Sequence, residues 1–154
     1  MPLAELESAL TARAARPDLQ RGLELTRAAV ATWSLVTASA TRWAEVLLAR
    51  LGDGAPLDAP GLYLACACLE GDRVALTALE GELRAAATPA LRRLGLQGAK
   101  FDEVLQNART HLLVADDGAP RLTRYSGRAP LREWLSTVCA RQAFDLGRKQ
   151  RDVE

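Results

Sequence analysis

The sequence predicts an all-α fold, and three observations carry that expectation. Alanine, leucine and arginine dominate the 154 residues, whereas β-branched residues are sparse and no apolar/polar alternation of strand length occurs. Apolar positions instead recur every three or four residues over most of the chain. Glycine and proline gather in two stretches that leave helix-length intervals between them. With 49% apolar and 25% charged residues the chain can bury a core of ordinary size.

Leu3 to Arg16 reads as a helix ended by Pro17. Leu23, Thr26, Val30, Trp33, Thr37, Ala40, Ala44, Leu47 and Leu51 then continue one amphipathic stripe, predicting a long helix or a helical hairpin bent near Thr37–Thr41. Its face is only moderately apolar, so it is expected to dock on another surface, either the second half of the chain or a partner, with the former preferred. Gly52–Gly61 is a Gly/Pro linker, which divides the chain into an N-terminal helical extension (1–51), the linker (52–61) and a helical domain (62–154). Leu62–Leu69 forms a short helix closed by Gly71, and Asp72 caps the next, which carries Leu76, Leu79, Leu83, Ala87, Ala90 and Leu94 on one face. Pro89 should kink that helix and Gly95 should end it. A further helix over Phe101–Val114 buries Phe101, Leu105, Ala108 and Leu112. After a long polar loop, Ala115–Pro130, the last helix opens at Pro130 and buries Leu131, Leu135, Val138, Cys139 and Leu146.

Composition excludes several classes of function. No apolar run reaches the ~18 residues of a membrane span, and the N-terminus lacks a basic-then-apolar leader pattern. Cys66, Cys68 and Cys139 are too few for a disulfide scaffold, so a reduced, cytoplasmic protein is expected. The cysteines and the single His111 have no metal-ligand spacing, and no Ser-His-Asp or Cys-His arrangement and no phosphate-binding glycine loop occurs. Neither an enzyme nor a metal or other cofactor is expected.

Charge is unevenly spread. The net charge is +1, but Gly118–Glu154 carries eight basic against four acidic residues, and the remainder is net negative by three. Asp102, Glu103 and Gln106 project from the Phe101 helix on the face opposite its apolar stripe. Arg121, Arg124, Tyr125 and Arg128 place an aromatic among arginines on the polar loop, a pattern suited to single-stranded nucleic acid. Trp134, Val138, Arg141, Asp145 and Arg148 form one stripe of the last helix, on which Asp145 can pair with Arg141 or Arg148.

In order, these segments resemble region 2 of the sigma-70 family of RNA polymerase sigma factors, in its extracytoplasmic-function (ECF) form. Gly71-Asp72 and the following Ala/Leu helix are similar to the opening of that region, and Phe101-Asp102-Glu103-Val104-Leu105-Gln106 to its Ala-Glu-Asp-x-x-Gln signature. Tyr125 to Leu135 is similar to the aromatic-x-Gly-x-x-x-Phe-x-x-Trp-Leu passage, and Ala140-Arg141-Gln142-Ala143-Phe144-Asp145-Leu146-Gly147-Arg148 to the Ala-Arg-Asn-x-x-x-Asp-x-x-Arg helix, with Gln142 in place of the commoner asparagine. The resemblance runs from Leu62 to about Arg151 and implies a region 2 bundle without the region 4 helix-turn-helix; the helical hairpin expected before it from periodicity matches nothing in the family.

That resemblance implies a transcription-initiation module with two partners. Core RNA polymerase, through its clamp coiled-coil, would meet Asp102, Glu103 and Gln106. Promoter DNA, as the melted non-template strand of a −10 element, would meet Arg121, Arg124, Tyr125, Arg128, Trp134, Arg141, Gln142 and Arg148. An anti-sigma factor or other regulator is a further partner of such modules, and no membrane contact is expected. The alternative is a sigma-derived helical interaction protein that binds polymerase or a regulator without opening promoters.

Overall fold

The computed structural model describes residues 2–114 and 118–153. The described residues form seven α-helices and one 3-10 turn, without strands. The helices are α1 (Pro2–Arg13), α2 (Arg16–Thr32), α3 (Ala40–Leu48), α4 (Ala59–Leu69), α5 (Arg73–Arg93), α6 (Ala99–Leu113) and α7 (Leu131–Val153). The 3-10 turn, Arg121–Arg124, lies in the loop between α6 and α7, whose Ala115–Asp117 portion is outside the described residues. Among the described residues no helix is long and apolar enough to cross a membrane.

In the N-terminal part α1 packs on both α2 and α3, which touch each other only slightly. Pro17 does not end a helix; it sits in the first turn of α2, where its missing N–H has no partner to lose. The stripe through Trp33 and Thr37 breaks into α2 and α3, and Ser39 caps α3 by accepting the Arg42 N–H at 3.3 Å.

α4 is the centre of the molecule. Its eleven residues carry no charge, and Gly61 through Cys68 are all buried. A helix apolar on every side must be covered on every side, and α2, α3, α5 and the 3-10 turn all pack on it. Trp43 of α3 meets Tyr63 of α4 edge-to-face, with ring centroids 5.3 Å apart. The Trp43 indole donates to Thr26 Oγ1 (3.0 Å), Thr26 to the Gly22 carbonyl (2.7 Å) and the Tyr63 hydroxyl to the Val36 carbonyl (2.8 Å), so these buried polar groups are satisfied. Residues on both sides of the Gly/Pro stretch thus belong to one core.

α5 and α7 form the most extensive helix pair, and α6 packs on both. Asp72 caps α5, accepting from the Ala75 N–H at 3.0 Å. The helix continues past Pro89 to Arg93, held on either side of the proline by buried Ala86, Ala87 and Leu91. Its buried stripe follows Ala75, Leu79, Leu83, Ala87 and Leu91, which leaves Leu94 exposed. The thiols of Cys66, Cys68 and Cys139 lie in the core, where burial pushes them up to about 11, about 12 and about 11.

Candidate functional site

The polar loop and the start of α7 are organised by one carboxylate. Asp58, at the head of α4, accepts the Gly61 N–H through Oδ1 (3.0 Å), and through Oδ2 the Leu131 N–H (2.8 Å) and the Tyr125 hydroxyl (3.0 Å). It therefore caps α4 locally and α7 across 73 residues of chain. The helix ends are so close that a Cβ on Gly61 would lie 2.9 Å from Leu131 Cβ. Gly127 has φ +78°, and a Cβ there would press on Leu57 at 3.3 Å, so glycine suits the loop at that point.

This arrangement corrects the expectation for Tyr125. Its side chain is 2% exposed, its hydroxyl lies between Asp58 Oδ2 and the Ala129 carbonyl (2.6 Å), and its ring packs against Trp134 with centroids 5.2 Å apart. Burial, with the Asp58 carboxylate beside it, raises the phenol well above its ordinary pKa. Tyr125 presents no stacking plane, and Trp134 is half-buried as its packing partner.

The arginines divide into two groups. Arg128 is held by the Asp53 carboxylate (3.2 Å) and the Arg50 carbonyl (2.9 Å). Arg148 pairs with Asp145, leaving Arg141 without that partner. Arg121, Arg124 and Arg141 have no carboxylate within ion-pair distance among the described residues. Arg121 is pushed below its ordinary pKa by burial and then by the charges of Arg141 and Arg124. Arg121 also lies 3.5 Å from His111 Nε2, joining it to the end of α6. Gln142 lines the adjoining α6–α7 groove of about 620 Å³, which Arg148 and Lys149 line together with Asp145 and Asp152.

Phe144, singled out only as part of a motif, is 59% exposed. It lies three residues from Arg141 and four from Arg148, on one stripe of α7. The 3/4 spacing of Arg141, Phe144 and Arg148 is the signal for this stripe in the sequence.

At the opposite end of α6, Asp102, Glu103 and Gln106 are all exposed on one side. Gln106 accepts from Arg109, which is itself held by Glu80 through Nε–Oε2 (2.7 Å) and Nη2–Oε1 (2.5 Å). Asp102 and Glu103 have no ion pair among the described residues. No cluster of three or more metal-ligating side chains occurs among the described residues. In comparisons with known proteins, no family model, no curated sequence and no solved structure matches this chain.

Proposed function

We propose that this chain is a non-catalytic, sigma-factor-like module of the cytoplasm that docks on core RNA polymerase and holds promoter DNA of −10 type. The observation that carries the reading is the division of charge along α6. Its first turns expose Asp102 and Glu103 beside Lys100, and its last turn meets Arg121 at His111. Positions 102 and 111 are about 13 Å apart along the axis at 1.5 Å per residue. One rigid helix thus separates an acidic surface for a basic protein partner from a basic surface for phosphates.

On the DNA side, phosphate contacts would come from Arg121, Arg124 and Arg141, with Gln142 at the groove and Phe144 as the exposed stacking plane. Tyr125 and Trp134 instead shape the loop. Their burial favours a second reading, a sigma-derived interaction protein that binds polymerase or a regulator without holding a melted strand.

The test is co-purification of the full chain with core polymerase, wild type against Glu103→Lys/Gln106→Lys, with helicity monitored by circular dichroism. The double variant should lose core binding with its helicity intact, since like charges across an interface cost several kcal/mol. Retained binding refutes the docking assignment. Titration of a labelled −10-like single strand separates the two readings. Three phosphate contacts predict a slope of log affinity against log salt of about −2, at roughly −0.7 per phosphate. A slope near zero favours the second reading.

A further inference from the structure

The stretch joining α3 to α4 reaches across to the segment before α7. Arg50 Nε donates to the Ser126 carbonyl (3.0 Å), the Asp58 N–H donates to the Gly127 carbonyl (2.8 Å), and Arg128 Nη2 donates to the Arg50 carbonyl (2.9 Å). Beside the Arg50 carbonyl, Asp53 Oδ2 lies 3.2 Å from the same Arg128 nitrogen. The turn that presents Asp53 is itself anchored. Arg21 of α2 donates to the Ala55 carbonyl (2.5 Å) and the Leu51 carbonyl (3.4 Å), and Asp53 Oδ1 accepts the Ala55 N–H (3.0 Å). One carboxylate oxygen is thereby engaged locally and the other is left for the guanidinium.

We infer that Asp53 is an intramolecular substitute for a nucleic-acid phosphate, occupying Arg128 until a phosphate displaces it. The inference rests on the proposed nucleic-acid role of Arg121, Arg124 and Arg141 and extends it to Arg128, held in reserve by the stretch between α3 and α4. Carboxylate and phosphate oxygens make the same charge-assisted bond to a guanidinium, so they compete for one donor. Both partners remain accessible, with 61% of the Asp53 and 36% of the Arg128 side chain exposed. An ion pair in that setting is weakly held and open to exchange. Asp58 differs: its three hydrogen bonds support the fold, whereas Asp53 meets Arg128 at the surface.

The experiment measures binding of a labelled single-stranded oligonucleotide over a range of salt for wild type, Asp53→Asn, Arg128→Ala and the double variant. Asp53→Asn should bind about two- to five-fold more tightly at low salt, the range set by a surface ion pair. Its log–log salt slope should steepen by about 0.7, one additional phosphate. Both gains should vanish in the Arg128→Ala background. Unchanged or weaker binding by Asp53→Asn overturns the inference, as does a gain that persists without Arg128. Tripolyphosphate titration followed by NMR at the Arg128 Nε–H supplies a readout independent of DNA. If no variant binds the oligonucleotide, the nucleic-acid reading fails. The competition then stands where Asp53→Asn strengthens the tripolyphosphate response of Arg128, and falls where the response equals that of wild type.

Discussion

Replacing Asp58 with alanine removes the acceptor for two helix N-termini in one step. The lost bonds are from the Gly61 N–H at 3.0 Å and the Leu131 N–H at 2.8 Å. A lost cap costs about 1 kcal/mol, and bonds to a charged, half-buried acceptor lie above that, so the pair amounts to about 2–4 kcal/mol. The Tyr125 hydroxyl adds little, because it keeps the Ala129 carbonyl at 2.6 Å. Asp58→Asn retains one acceptor oxygen but turns an amide NH₂ toward the other N–H, and so should lose about half as much. For a chain of this size 1 kcal/mol moves Tm by about 2–4 °C, so the alanine variant should melt roughly 5–15 °C lower. Urea unfolding followed by far-ultraviolet circular dichroism, with an unchanged m value, measures both variants. An alanine variant within ~1 kcal/mol of wild type refutes the double cap, as does an asparagine variant no better than alanine.

Two further perturbations address the bundle around the site. Glu80 is held below its ordinary pKa by the hydrogen bonds from Arg109, against the opposing effect of burial. Its stabilisation is therefore complete above the unfolded carboxyl value, and is lost as pH falls through the lower folded value. Glu80→Gln should cost about 0.5–1 kcal/mol at pH 7, given the partial exposure of the pair, and the difference from wild type should close in acid. A pH-independent difference in urea stability contradicts this. Removal of residues 1–51 strips Trp43, Leu47 and the Val36 carbonyl from α4. The truncated chain should lose its cooperative urea transition and near-ultraviolet signal; a sharp transition in 52–154 means that the C-terminal bundle holds its own core.

Much of the helix pattern is legible in the sequence. A short helix over 62–69 and the cap at Asp72 before a 3.6-residue stripe both follow from local pattern, whereas the burial of α4 on every side does not. The exposed acidic side of α6 follows from the same periodicity. These features depend on neighbours within one or two turns of chain. The orientation of the loop aromatic and the pairing of the arginines do not. Tyr125 among arginines has the composition of a binding loop, but Asp58 stands 67 residues earlier and accepts its hydroxyl, while Trp134 covers its ring. Arg128 likewise meets Asp53 only because Arg21 and α2 hold the intervening turn against the α7 end of the molecule. Periodicity and caps are local consequences of side-chain size and backbone hydrogen bonding, so the linear order of residues determines them. Which polar groups are sequestered and which remain for a partner is settled by long-range packing, where one carboxylate or one buried ring changes the role of a residue dozens of positions away.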